Sequence, residues 1–249
     1  MDGQDTELDI LIGSIYDCAV DPDRWPDALA QVARRLDCSY AALHAFAKQP
    51  AWQVDAVYHS PWDARRVATV VQYLGDIPAL DELIGGPLDR PIATLERVPF
   101  AQIRTSAFYR EWVEPQGLHD ACLTKVGESA NRIVQISVVN SVQQGAISQQ
   151  QQALVMRLAP HIRRAIMIGD LARRQQTRLD SLHAALDALA CGVLLTNDSR
   201  RVLHANAAAQ ALLVQGGPLR LRDGRLTASR PGIDAALSEA LRRAHRGDP

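Results

Sequence analysis

The stretch from Ser148 to Leu189 constrains this chain more than any other. Ser148, followed three residues later by Gln151, spells a capping box, in which two side chains satisfy free backbone amides at a helix start. Beyond it, apolar residues recur in heptad spacing. One set is Leu158, Ala165, Ala172, Leu179 and Leu186; the interleaved set is Leu154, Ile168, Leu182 and Leu189, interrupted by His161 and Gln175. The spacing predicts a long helix with a partial coiled-coil seam. Pro160 sits inside it without an amide proton, which predicts a kink or a restart there. Two readings stay open: a helix packed on its own domain, or a dimerising connector that passes motion from a sensor to whatever follows.

Composition divides at about the same place. All twelve aromatic residues lie at or before Trp112, and the last 137 residues hold none. Residues 1–149 carry 12 Lys+Arg against 20 Asp+Glu, whereas residues 150–249 carry 15 against 8. A net charge of −1 therefore hides an acidic front and a basic back. The back is basic through arginine alone, since the lysines are Lys48 and Lys125. Without rings it has nothing on which to stack nucleobases. Arg220, Arg222, Arg225, Arg230, Arg242, Arg243 and Arg246 form either a solvated surface or a face for phosphate.

With 47% apolar and 22% charged residues the chain has the make-up of a globular protein, not a disordered one. No run reaches the roughly 18 apolar residues of a membrane span, and the acidic, polar start is unlike a leader peptide. Cys18, Cys38, Cys122 and Cys191 stand 20, 84 and 69 residues apart with no CxxC pair. Such spacing suits four separate thiols in a reducing cytoplasm.

No phosphate loop, dinucleotide fingerprint, zinc-protease helix, nucleophile elbow or calcium loop is present in the sequence. The seven histidines never pair at helical metal-binding spacing. His119-Asp120 beside Cys122 could suggest a nucleophile with its base, but neighbours on a strand alternate faces. These residues read as structural. We therefore expect no enzyme, no catalytic residues, no metal and no cofactor.

Along the front, Leu8, Leu11, Ile12 and Ile15 form one helical face. Asp21-Pro22 opens a helix that buries Leu29, Val32, Ala33 and Leu36. Residues 40–47 and 52–59 read as strands. Ser60-Pro61-Trp62-Asp63 starts a helix with Val67, Val70, Val71 and Leu74 on one face, stopped by Gly75. A short helix at 106–113 ends before Pro115, and residues 118–126 and 132–139 read as antiparallel strands joined through Gly127-Glu128-Ser129. At the back, residues 192–197 and 201–205 are strands, Asn206 caps a helix, Asp223-Gly224 turns a hairpin, and residues 233–244 form a last helix.

The run Leu189-Ala190-Cys191-Gly192-Val193-Leu194-Leu195-Thr196-Asn197-Asp198, continued by Val202-Leu203-His204-Ala205-Asn206-Ala207, resembles the opening of a PAS domain. Upstream, residues 108–117 (FYREWVEPQG) and 158–165 (LAPHIRRA) resemble the sensor half of LuxR-type helix-turn-helix transcription regulators. In that group a GAF-like domain, a long helix and a PAS-like segment precede a DNA-binding domain. The resemblance implies an α+β chain in three parts: a GAF-like antiparallel-sheet sensor domain (1–146), a long connecting helix (147–190) and a partial PAS-like segment (191–249). No helix-turn-helix is present in the sequence, so DNA recognition would fall to a domain absent here. The expected protein is a cytoplasmic homodimer joined through the 150–190 helix, with no membrane contact. The rival expectation is a stand-alone protein-interaction module acting through the same helix.

A sensor needs a pocket, and aromatic side chains with a polar tip often line one. Trp52, Tyr58, Trp62, Tyr73, Tyr109 and Trp112 are the candidates for binding a small, partly apolar signal. The alternative is that these rings only fill the core. The aromatic-free PAS-like segment offers a flavin nothing to stack on.

Overall fold

The computed structural model describes residues 2–47, 53–60 and 69–246. By its internal contacts the chain forms two compact units, residues 1–172 and 173–249, so the boundary falls within the long helix. Among the described residues no helix is long and apolar enough to cross a membrane.

The first unit begins with α1 (Asp2–Val20) and α2 (Trp25–Leu36). Asp21 caps the short 3₁₀ turn Pro22–Arg24 that leads into α2, its carboxylate accepting the Asp23 amide. Helix α2 buries Trp25, Ala28, Leu29, Val32, Ala33 and Leu36, an i, i+3, i+4, i+7 set that makes one inward stripe. It ends as Asp37 turns left-handed, and the Cys38 amide closes back on the Ala33 carbonyl at 3.0 Å.

Five antiparallel strands follow in the order β2-β1-β5-β4-β3: β1 (Tyr40–Ala47), β2 (Gln53–His59), β3 (Pro91–Ala93), β4 (Leu118–Glu128) and β5 (Arg132–Ser141). Central strands β1 and β5 are buried on both faces, which accounts for their near-continuous apolar runs. Ala41, Leu43 and Ala45 look toward α1 and α2, while Tyr40, Ala42 and Phe46 look the other way. On that second face lie the 3₁₀ helix Val70–Asp76, α3 (Leu80–Gly85), α4 (Thr94–Arg97), α5 (Phe100–Ile103) and a π-helical turn, Phe108–Val113. The helix expected from Ser60 has its beginning outside the described residues. Its described end runs past Gly75 to Asp76 as 3₁₀, and Pro115 sits inside a further 3₁₀ turn, Glu114–Gln116, where a first-turn proline costs no hydrogen bond.

Helix α6 runs from Gln149 to Asp187, unbroken through Pro160. The capping box forms in full: the Gln151 amide donates to Ser148 Oγ at 3.2 Å and the Ser148 amide to Gln151 Oε1 at 2.9 Å. Its first half packs on the sheet's helical layer through Val155, Leu158, Ala159, Ile162, Ala165 and Gly169. The seam must therefore be corrected for this half. Leu158 and Ala165 lie in their own unit's core, and His161 meets Tyr16 at 3.3 Å, so none of them is available to a partner helix.

The second unit places hairpin β6 (Leu194–Thr196) with β7 (Val202–Ala205), then α7 (Ala207–Val214), hairpin β8 (Leu219–Arg222) with β9 (Arg225–Ala228), and α8 (Pro231–Arg246). Asp223 and Gly224 take positive φ of 50° and 75°, the pair a type I′ turn requires. Asn206 caps α7 as expected and does more. It is fully buried, donates to the Leu186 and Cys191 carbonyls (2.8 and 2.9 Å) and accepts from the Val193 and Ala209 amides (2.8 and 2.9 Å).

Candidate functional site

The second face of the sheet does not close completely over its helices. It leaves a cavity of about 140 Å³ floored by β1, β5 and β4 and roofed by the 3₁₀ helix, α3 and the π turn. Tyr40, Phe46, Leu74, Phe108, Trp112 and Leu118 make most of it apolar. Phe108 stacks on Trp112 with ring centres 5.4 Å apart and planes 15° apart, forming a flat aromatic wall.

A few polar groups interrupt the apolar lining. His44 on β1 stands directly opposite Gln135 on β5, and its Nε2 lies 3.0 Å from Ser137 Oγ. Burial, with a smaller push from His59, drives the His44 imidazole down to about 4, so it is neutral at neutral pH. Its Nδ1 is buried without a hydrogen-bond partner. Gln135 donates to the Leu83 carbonyl at 2.9 Å, fastening α3 to the floor.

Asp120 enters the wall where β4 is bulged, and is itself buried. Its Oδ1 accepts from the amides of Leu95 (3.1 Å) and Ala121 (2.8 Å), and its Oδ2 from that of Ile147 (2.9 Å). Ile147 immediately precedes the Ser148 cap of α6. One carboxylate thus joins the cavity wall, α4 and the start of the long helix.

The six aromatic candidates separate. Trp112 lines the cavity. Tyr109 is buried behind it and packs edge-on against Phe100, while Tyr73 sits toward the surface and donates to Glu111 at 3.3 Å. Tyr58 lies on the opposite face of the sheet, opposite Leu43 in register and 6.4 Å from the Trp25 ring, so it does not reach this cavity. Trp52 and Trp62 lie outside the described residues. Sequence reasoning passed over His44, Gln135 and Ser137, although a signal existed: each is a polar residue at an alternate position of a buried strand, all on one face. Cys122, two residues beyond Asp120, is fully buried on the α1 and α2 side of the sheet, and burial lifts its thiol to about 12. Among the described residues no group of three metal-ligating side chains converges.

No family model matches the chain, and no curated protein matches it. Solved structures do. The LBD domain of VqsR from Pseudomonas aeruginosa is similar with a TM-score of 0.51 and 13% identity, over 65% of this chain and 95% of that one. The likeness is one of fold: an antiparallel sheet layered with helices. Weaker similarity extends to CepR2, an N-acylhomoserine lactone dependent LuxR family transcription factor from Burkholderia cenocepacia (TM-score 0.43, 12% identity, 62% and 92% coverage). It also extends to the GAF domain/HD domain protein of Geobacter sulfurreducens (TM-score 0.42, 12% identity, 63% and 98% coverage).

Proposed function

We propose that this chain is the ligand-responsive sensory and dimerisation region of a LuxR-type transcription regulator. The observation that carries the reading is the apolar cavity whose wall, through Asp120, holds the residue before the long helix. The chemistry is binding, not catalysis. A cavity of about 140 Å³ has room for a group about the size of a benzene ring, which an apolar cavity of that size is known to hold. The signal is therefore a small, mostly apolar molecule, with the neutral His44 and its hydrogen-bonded neighbours facing its polar end. A bound ligand favours one arrangement of the wall, and the 147–190 helix carries that bias onward as a shift of population. DNA is met by a domain other than the three parts proposed, 1–146, 147–190 and 191–249.

Dimerisation is assigned to the end of α6. Leu179 and Leu182 keep the heptad spacing there, and both are about half exposed in the single chain, whereas Leu189 lies past the helix end at Asp187. The same stripe would serve the rival reading, a protein-interaction module, so the two are separated by the cavity.

Tryptophan fluorescence titrated with small apolar metabolites tests the sensory part. Trp112 is the reporter, and Trp112→Phe should abolish a response that Trp25→Phe leaves in place. A panel that never perturbs Trp112, nor raises the melting temperature, defeats the reading. Light scattering across concentration tests the dimer: the Leu179→Glu, Leu182→Glu double variant should be monomeric, and a wild-type monomer at high concentration would refute it.

A further inference from the structure

We propose that the two hairpins of the second unit form a binding site for a compact, multiply charged phosphate such as a pyrophosphate group. This site is independent of the sensory reading and lies in a different part of the chain. The backbone lines up like charges there. Arg222 and Arg225 are direct cross-strand partners on either side of the β8–β9 turn, and Arg225 is bridged in turn to Arg201, which immediately precedes β7. Cross-strand partners of the same sign repel. Here three arginines stand in a row, and among the described residues none of the three makes an ion pair with a carboxylate.

The row is held by backbone geometry. The Val202 amide donates to the Gly224 carbonyl and the Leu226 amide to the Arg200 carbonyl, both at 2.9 Å, which stitches the two hairpins together. Arg200 and Asp223 adopt left-handed φ of 66° and 50° at the turns. Asn197 Oδ1 accepts from the Arg201 amide and from Ser199 Oγ, both at 2.8 Å, and so fixes the first turn. Between the hairpins lies an open cleft of about 610 Å³, its walls including Arg200, Arg201, Arg222 and Arg225, with the Ser199 and Thr227 side chains alongside.

The neighbouring carboxylates do not neutralise it. Asp234 is committed to Arg200 at 2.9 Å and to the Ala228 amide at 2.8 Å, leaving Asp223 as the acidic residue that lines the cleft against Arg201, Arg222 and Arg225. Guanidinium forks match phosphate oxygens two at a time and stay charged at any physiological pH. With no Phe, Trp or Tyr after Trp112 and no histidine lining the cleft, the site reads phosphate and not a base. The charge is also compact: Arg242 is paired with Glu239, and Arg220 lies outside the cleft. A nucleic acid would draw on a longer track of free cations.

Calorimetric titration of the full chain with inorganic pyrophosphate at low salt tests the site. Binding should be seen, should weaken with salt, and should fall about tenfold or more in Arg225→Gln and in Arg201→Gln, each of which removes one fork of an exposed side chain. Arg220→Gln, on the same hairpin, should bind as the wild type does. Tripolyphosphate and ATP should bind alike, since only phosphate is recognised. No binding at millimolar pyrophosphate overturns the proposal, as does binding indifferent to both cleft variants. ATP binding far more tightly than tripolyphosphate overturns recognition by phosphate alone. A short DNA duplex that outcompetes pyrophosphate makes this a nucleic-acid face instead.

Discussion

Replacing Asp120 by asparagine removes one charge and exchanges one acceptor for a donor, at a site where three backbone amides converge. If the remaining oxygen keeps Leu95 and Ala121, the new amide group faces the Ile147 N–H, donor against donor. Ile147 is only 6% exposed, so water cannot take over. A buried amide left without a partner costs about 1–3 kcal/mol. The two surviving bonds also lose the strengthening that an ionised acceptor confers. We expect a total loss of about 2–4 kcal/mol, or roughly 5–15 °C in melting temperature for a unit of this size. The diagnostic readout is local. Hydrogen exchange at Ile147 and in the first turn of α6 should speed up well beyond the change at Leu83 and Gln135. Thermal unfolding by circular dichroism supplies the global figure. A variant that melts within a degree of the wild type, with Ile147 exchanging at its original rate, would refute the claim that this carboxylate holds the helix start to the wall.

Asn206→Asp should unfold the second unit at a temperature at which the first survives, because a second oxygen would face the Leu186 and Cys191 carbonyls where an amide now donates; hydrogen exchange resolved by residue checks it. His44 should make stability fall with acid: its folded value of about 4 is below the ordinary 6.5, so the unfolded chain takes up the proton first. The stabilisation is complete above about pH 6.5, drains away toward pH 4 and amounts to about 3 kcal/mol, and His44→Gln should flatten that part of a urea-denaturation pH profile. Only Cys191 is exposed, while burial raises Cys18 and Cys38 to about 11 and Cys122 to about 12, so a thiol reagent should label one site in the native chain and four after denaturation.

Features with local causes were legible in the sequence. The Asp21 cap, the Ser148–Gln151 box, the Asp223-Gly224 turn and the Asn206 cap each depend on residues within a few positions, and each forms. The two central strands were readable as apolar runs. What failed was pairing by face. Tyr58 and Trp112 look equivalent as residue types, but the β1–β2 register sends Tyr58 to the α2 side. The heptad count failed for a related reason: it cannot distinguish a stripe that meets a partner from one that meets its own sheet layer, and Leu158 and Ala165 do the latter. Asp120 was seen only as a strand neighbour of His119 and Cys122, because its three amide partners come from segments up to 27 residues away.

The long helix is anchored by a buried polar side chain near each end, and this bears on how strongly a ligand could bias it. Asp120 grips the residue before its first turn, and Asn206 grips the carbonyl of Leu186 in its last. Between them, Gly169 brings the helix so close to α1 that a single added methyl would stand 3.0 Å from the Ala19 carbonyl oxygen. Sliding or turning the first half therefore means giving up both that close approach and the Asp120 bond. On the sensory reading, a ligand that shifts β4 enough to release the Asp120 bonds draws on the 2–4 kcal/mol held there, a factor of roughly thirty to a thousand in a two-state equilibrium. A nearly complete switch, from about 1:99 to 99:1, takes about 5.5 kcal/mol. Asp120 alone falls short of that, so an effective signal must also change the packing of the roof against the sheet. Phe108 and Trp112, stacked over the same cavity, are where that second contribution would be gathered.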